Sequence, residues 1–292
     1  LLLAHDGVVR NKDKIIEIPY DTISERDFKN TFIEEGEIYL TEGGVLGLPF
    51  TIDPMVMYWN RDIFQSVGIA KPPEFWDELF VLSPKITQRD TASNITRSFT
   101  ALGEFTNVEN AKEILSVFII QSGNKIVVPT ADGFQSIINE RFDFATPPAE
   151  AAVRFYTEFS NPIKSVYSWN RSLPNSKQLF AAGDLAIYFG FASELNGIIR
   201  ANPNLNFDIS SLPQLRDSDT RVTYGKMNAF TIPRSSKNPT AAVATALALT
   251  NVANTESFSA LSGFPPVRRD LLEQAQTNAI SSVFYDSALI SK

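Results

Sequence analysis

The chain has 292 residues, 26 basic against 33 acidic side chains for a formal charge of −7, 43% hydrophobic residues, one His and no Cys. Without Cys there is no disulfide scaffold, zinc ribbon or cysteine nucleophile, and a single His excludes two-His metal motifs. The acidic balance argues against nucleic acid, whose phosphates call for a basic face, and the apolar content is that of a soluble globular protein large enough for one big domain or two.

In chain order, Leu1-Leu2-Leu3-Ala4 reads as a buried strand entered midway, without the charged start of a signal peptide, so the sequence is expected to begin inside a domain. Residues 45–49 and 55–59 are apolar runs that predict two strands meeting at a bend at Asp53-Pro54. Asn60-Arg61-Asp62 opens a short helix that Gly68 closes, and a second helix is predicted around 76–80 after Pro72-Pro73. Thr106-x-x-Glu109 has the spacing of a capping box, ahead of an apolar helical face made by Ala111, Ile114, Leu115, Phe118 and Ile119 that Gly123 stops. Thr146-Pro147-Pro148 starts another helix, with an apolar stripe from Val153, Tyr156 and Phe155 or Phe159.

Asn175 is expected to cap a helix ending at Gly183, followed by a buried strand over 185–189 and a helix capped by Ser193. Asn202-Pro203-Asn204 turns the chain into a strand near 207–209, and Arg216-Asp217-Ser218-Asp219 reads as a polar loop. Residues 224–233 carry strand character. Asn238-Pro239 launches an Ala-rich helix whose apolar stretch, 241–249, is too short for a bilayer span, and Asn254-Thr255 begins a helix that Gly263 stops. Strand and helix signals alternate, which predicts an α/β protein. No linker separates two independent domains, so two lobes would be joined by more than one crossing.

The catalytic motifs are absent: Gly43-Gly44 and Gly47 fit no phosphate-binding loop, and a Ser-His-Asp triad could use only His5. Asp6 and Asp53 follow or interrupt apolar strands, where side chains at strand ends gather into sites. They suit sugar hydroxyls, a cationic ligand or a glycosidase pair, and each alone also suits a plain turn or cap. Trp169, in the polar stretch Tyr167-Ser168-Trp169-Asn170, is expected to be accessible and able to stack on a sugar or a cation. Phe191, just past Gly190, is placed similarly; for both, ordinary packing is the plainer alternative. Trp59 and Trp76 read as core.

Four stretches resemble the extracellular solute-binding proteins of ABC transporters, the family typified by maltose-binding protein. These are Leu46-Gly47-Leu48-Pro49-Phe50-Thr51-Ile52-Asp53 running on through Tyr58-Trp59-Asn60-Arg61-Asp62-Ile63-Phe64, then Pro72-Pro73-Glu74-Phe75-Trp76-Asp77-Glu78, then Leu179-Phe180-Ala181-Ala182-Gly183-Asp184-Leu185-Ala186-Ile187-Tyr188-Phe189-Gly190, and finally Ile232-Pro233-Arg234-Ser235-Ser236-Lys237-Asn238-Pro239. They follow one another in the family's order along nearly the whole chain, and Leu3-Ala4-His5-Asp6 is similar to the strand end that presents an Asp to sugar hydroxyls.

The resemblance implies a two-lobe, periplasmic-binding-protein-like (type II) α/β fold with a ligand cleft and several hinge crossovers. Lobe I is expected over 1–53 and 229–265 and lobe II over 54–228 and 266–292, with the first βα unit and the last helices of the family lying beyond this sequence. By likeness the ligand-binding set includes Asp6, Asp53, Phe191, Tyr224, Gly225 and Asn228, to which the residue reading adds Trp169, with His5 and Asn170 beside them. Asn228 departs from the aromatic that many relatives carry there.

The implied function is an extracytoplasmic, monomeric receptor, lipid-anchored in its full-length form, that hands a solute to a membrane ABC permease without catalysis, metal or cofactor. Carbohydrate is the expected ligand, and anions are disfavoured because the aspartates lack basic partners. A polyamine or other cationic solute is the alternative within that role. A glycoside hydrolase using Asp6 and Asp53, or an interaction domain whose cleft holds no solute, are the readings outside it.

Overall fold

Two of the chain's most apolar runs become strands that are buried along their whole length, Leu48–Asn60 and Leu185–Phe191. They organise a computed structural model that describes residues 1–130, 133–142, 144–216, 218, 220–273 and 278–292. Asp217 and Asp219 of the expected polar loop lie outside the described residues. The expected bend at Asp53-Pro54 is not formed: one strand of 13 residues runs through it. Pro54, which has no N–H to give, stands opposite Gly225, and the ladder resumes at once with the Met55 N–H donating to the Tyr224 carbonyl at 2.8 Å.

The chain divides into two units, Leu1–Pro54 with Gly225–Ser291, and Met55–Tyr224 with Lys292, so it crosses three times. The expected assignment of 266–292 to the second lobe is corrected for 266–291, which fall in the first unit. Helices Arg269–Leu272 and Ala279–Leu289 send Leu272 and Ala288, with Val267 ahead of them, into the core of the first unit beside Val8, Phe28 and Ile52.

In the first unit, Leu2–Ala4, Gly225–Phe230 and the opening part of Leu48–Asn60 pair antiparallel in that order. Leu3 is opposite Ala229, Ala4 opposite Asn228, Asn228 opposite Thr51, Met227 opposite Ile52 and Lys226 opposite Asp53. Side chains alternate along a strand, so Ile52, Met227 and Ala229 enter the core while Thr51, Asp53, Lys226 and Asn228 occupy the other face. The opening leucines do form a strand, but it pairs on one side only and Leu2 is 48% exposed, against the expectation of burial. Asn238 caps Pro239–Leu249 through the Ala241 N–H at 3.1 Å. The next helix, Val252–Ser262, is capped by Asn251 rather than by Asn254 and ends at Gly263.

In the second unit, Leu185–Phe191 lies between the closing part of Leu48–Asn60, antiparallel, and Ile95–Thr100, parallel. Phe207–Ser210 pairs with the other edge of Leu48–Asn60. Helices Ala111–Gln121 and Pro148–Glu158 pack together, and Trp76 fits edge-on against Phe118 at 4.5 Å and Phe189 at 5.3 Å between ring centroids. Tyr156 and Phe159 are buried as the stripe requires, whereas Val153 is exposed. The helix expected around 76–80 spans Glu78–Ile86. No capping box forms at Thr106 and Glu109. The helix starts after Asn110, held at φ 60°, and the Glu109 carboxylate accepts from Asn175 Nδ2 at 2.8 Å instead. Ser193 sits inside a one-turn helix, Ala192–Glu194, rather than capping one.

The crossings are tied down on both sides. In the second unit, Thr223 Oγ1 donates to the Met55 carbonyl at 2.8 Å and the Lys292 N–H donates to the Thr223 carbonyl at 2.9 Å. In the first, Gly225 is packed so closely that an added Cβ would lie 2.6 Å from Ser291 Cβ and 3.0 Å from Ile52 Cδ1. Gly225→Ala is therefore expected to destabilise the protein by about 1–3 kcal/mol, as overpacking does, and Ser291→Gly in the same chain to restore part of the loss. Thermal melts of the single and double variants check this.

Candidate functional site

The sheet face turned from the first unit's core carries an unusual run of polar groups. Core demand fixes Ile52 and Met227 inward, so their neighbours Thr51, Asp53, Lys226 and Asn228 stand together on the opposite face. Asn228 Nδ2 donates to Thr51 Oγ1 at 3.1 Å. Lys226 is the cross-strand neighbour of Asp53, so the strip holds both charges. His5 and Asp6 follow Ala4 directly in the helix His5–Arg10, at the end of the sheet where Lys226 and Asp53 lie. Asp6 is exposed and pairs with Arg10 at 3.3 Å. Beneath it, Tyr39 is fully buried and its hydroxyl has no hydrogen-bond partner; burial first, and the Asp6 charge second, push its pKa up. The structure thus brings Asp6, His5, Asp53, Asn228 and Gly225 into one unit, with Thr51 and Lys226 beside them. A period-of-two reading of 225–230 against 48–53 would have found both.

The remaining expected residues belong to the second unit. Phe191 is opposite Met55 at the strand end, buried, with the Tyr224 ring edge-on at 6.3 Å between centroids. Its position is fixed by Glu194, whose Oε1 accepts from the Phe191 N–H at 2.9 Å and from Asn110 Nδ2 at 2.9 Å. Glu194 Oε2 accepts from the Tyr188 hydroxyl at 2.6 Å and faces Lys177 Nζ at 2.7 Å. Burial alone would raise the Glu194 pKa, yet the bonds from Lys177, Tyr188 and the Phe191 N–H outweigh it and hold the carboxyl below its ordinary value. The same surroundings, burial first and then the Glu194 charge, drive the Tyr188 hydroxyl upward.

Trp169 and Asn170 do not form an accessible stacking site, and this corrects the expectation. Trp169 is 0% exposed and its Nε1 donates to Asn107 Oδ1 at 3.1 Å. The polar residues around it are turned inward to satisfy backbone: Ser168 Oγ donates to the Thr100 carbonyl at 3.0 Å, and Ser98 Oγ donates to the Ser168 carbonyl at 2.7 Å. Asn170 closes its own turn, accepting from the Ser172 N–H at 2.9 Å and donating to the Tyr167 hydroxyl at 2.7 Å. Among the described residues, no group of three or more His, Cys, Asp or Glu is placed to hold a metal ion, and no helix is long and apolar enough to cross a membrane.

A mixed α/β chain in two units, joined by three crossings with polar side chains at them, has the architecture of two-lobe periplasmic sugar-binding proteins. The chain belongs to the bacterial extracellular solute-binding protein family, whose model matches residues 6–282. A protein of Brucella abortus (strain 2308) named as a binding protein is 26% identical over 225 residues, 75% of this chain and 50% of its own. The chain thus spans about half the length of the curated relatives it matches. Over 47 residues, 15% of this chain and 11% of the relative, it is 38% identical to the periplasmic sn-glycerol-3-phosphate-binding protein of Agrobacterium fabrum. Among solved structures it is similar to a cyclo/maltodextrin-binding protein complexed with maltotetraose, at TM-score 0.75 and 17% identity over 99% of this chain and 70% of that one. The glycerophosphocholine complex of UgpB from Mycobacterium tuberculosis gives TM-score 0.74 and 17% identity over 100% of this chain and 71% of that one.

Two outcomes are expected. Trp169 fluorescence, isolated by replacing Trp59 and Trp76 with Phe, will be blue-shifted and protected from acrylamide; ready quenching would contradict its burial. Because Glu194 has a depressed pKa in the folded state, its contribution to stability is complete above its ordinary value of 4.5 and is lost as pH falls through the lower folded value. Glu194→Gln should lower the melting temperature at neutral pH and bring the variant closer to wild type in acid.

Proposed function

We propose that this chain is the solute-capturing part of a receptor that works outside the cytoplasmic membrane, as a monomer, and hands a sugar or oligosaccharide to a membrane ABC permease. It is a binder and not an enzyme. The observation that carries this reading is the strip Thr51, Asp53, Lys226 and Asn228 beside a chain crossing, in a chain matched over 6–282 by a solute-binding family. A sugar hydroxyl both donates and accepts, and the strip offers a carboxylate acceptor, an ammonium donor, and an amide and hydroxyl that do both. Asp6 and His5 extend it from the helix that follows the first strand. The neighbours complexed with maltotetraose, mannobiose and maltotriose support the ligand class.

A polyamine fits less well. Lys226 beside Asp53 offsets the negative charge that a polycation needs, and the buried Trp169 offers no face for a cation.

Calorimetric titration with maltotriose, mannobiose, glycerophosphocholine and spermidine tests the proposal. Saturable binding of a saccharide, with the saccharide recovered intact after prolonged incubation, is the expected result. Asp53→Ala should weaken it by roughly tenfold or more, the scale of a hydrogen bond to a charged group, in variant protein that still melts cooperatively. Full affinity in that variant would remove Asp53 from the site, cleavage of the saccharide would overturn the receptor reading, and binding of spermidine alone would overturn the ligand class.

A further inference from the structure

The second unit has another polar concavity, at the end of its sheet remote from the crossings. Asn60 closes the strand Leu48–Asn60 there opposite Phe207, and Ser98, which follows Arg97, is opposite Leu185 at the start of Leu185–Phe191. Five residues separate Met55 from Asn60 along the strand, roughly 17 Å at the usual rise. The cavity is about 260 Å³ and is lined chiefly by Asn60, Asp62, Arg97, Asn202, Asn204 and Asn206. Among the described residues no aromatic side chain lines it. This is below the roughly 300–1,000 Å³ of sites for drug-sized ligands, so a ligand of a few heavy atoms suits it.

Its hydrogen-bonding groups divide into those already committed and those still available. Asn60 Oδ1 accepts from the Ile63 N–H at 3.0 Å, and its Nδ2 reaches the Gly183 carbonyl only at 3.4 Å. Asn202 is occupied, donating to the Ala181 carbonyl at 2.9 Å and accepting from the Asn204 N–H at 3.1 Å. Asp62 Oδ1 accepts from Asn206 Nδ2 at 2.6 Å, which leaves Oδ2 facing no protein donor. Arg97 makes no ion pair among the described residues, and its Nε is buried without a hydrogen-bond partner. Arg216, at a different concavity of the same unit, shows the contrast: it is bidentate to Asp77 at 3.0 and 3.1 Å and lies over the Phe75 ring. The Arg216 charge is already answered by protein; the Arg97 charge is not.

An unanswered guanidinium fork matches a planar or tetrahedral oxyanion, and a buried N–H left without an acceptor is costly. A carboxylate in the same cavity would repel a bare anion, unless that anion also carries an O–H to give to it. We propose that this cavity is an accessory site for a small hydroxyl-bearing oxyanion of the hydrogen-phosphate type. Arg97 and Asn60 Nδ2 hold its charged oxygens, the Asn204 amide supplements them, and Asp62 Oδ2 accepts its O–H. The site is separate from the strip around Asp53 and does not depend on the function proposed for that strip.

Calorimetry of the chain with inorganic phosphate and with sulfate, near neutral pH and at low ionic strength, tests it. Phosphate should bind saturably, and sulfate, which has no proton to give at that pH, about tenfold or more weakly. Arg97→Gln should remove binding of both, Asp62→Asn should bring the two affinities together, and Asp53→Ala should leave phosphate binding unchanged. Absence of saturable phosphate binding, or phosphate binding that survives Arg97→Gln, overturns the site. Equal affinity for phosphate and sulfate in the unmutated chain overturns the role of Asp62. Should Arg97→Gln not fold, Asn204→Ala at the neighbouring turn must weaken phosphate binding, and unchanged affinity there also overturns the proposal.

Discussion

The constraint on which the rest depends is the single strand Leu48–Asn60, whose 13 residues are all buried. A buried strand must have its backbone groups paired, and here its partners come from different stretches of sequence. Its opening residues take Gly225–Phe230, and its closing residues take Leu185–Phe191 on one side and Phe207–Ser210 on the other. Those pairings bring distant parts of the chain back to it and so fix which residues meet at the crossings. Asp53 is placed opposite Lys226 and Phe191 opposite Met55 by hydrogen-bond register, before any side chain has a say.

Register alone leaves polar groups in dry surroundings, and each unit must answer them. In the second unit the answer is Glu194, which collects a tyrosine hydroxyl, an ammonium, an asparagine amide and a backbone N–H. A buried carboxylate is favourable only when its partners are this complete, and removing any one would leave a charge short of compensation. The cluster also sets the turn after Phe191. Neither unit answers every such group: among the described residues the Tyr39 hydroxyl in the first and Arg97 Nε in the second are buried without a hydrogen-bond partner.

How far the sequence could be read follows from which physical signals are local. Helix ends were legible where the cap is short-range: Asn60, Asn175 and Asn238 accept from backbone N–H groups two or three residues on, and Gly183 and Gly263 take the left-handed conformation at helix ends. Buried runs such as Leu185–Phe191 were legible from composition. The Thr106-x-x-Glu109 spacing misled because Glu109 has a tertiary partner, Asn175, that no local pattern reveals. Trp169 misled for a related reason. Serines and asparagines around it looked like a solvated loop, but they hydrogen-bond the backbone inside the unit, so polarity in the sequence did not mean exposure. The placement of 266–291 depended on long-range packing of Val267, Leu272 and Ala288, which apolar periodicity cannot assign to one unit or the other.

The candidate site was legible in part for the same reason. Asp53 stands in a strand that a motif marks, Asp6 in the helix after the first strand and Asn228 in the strand opposite Thr51, and all three belong to one unit. A lone lysine has no motif of its own, and only the register shows that Lys226 is the cross-strand neighbour of Asp53. That pairing changes the chemistry of the strip. Two aspartates without a cation would select against anything but cations and hydroxyls, which is how the isolated sequence reads. With an ammonium set against the carboxylate, the strip becomes nearly neutral as a whole while keeping strong directional donors and acceptors. For the sugar proposed above, a neutral, polyhydroxylated solute, such a surface exchanges water for directional hydrogen bonds without either partner burying a net charge.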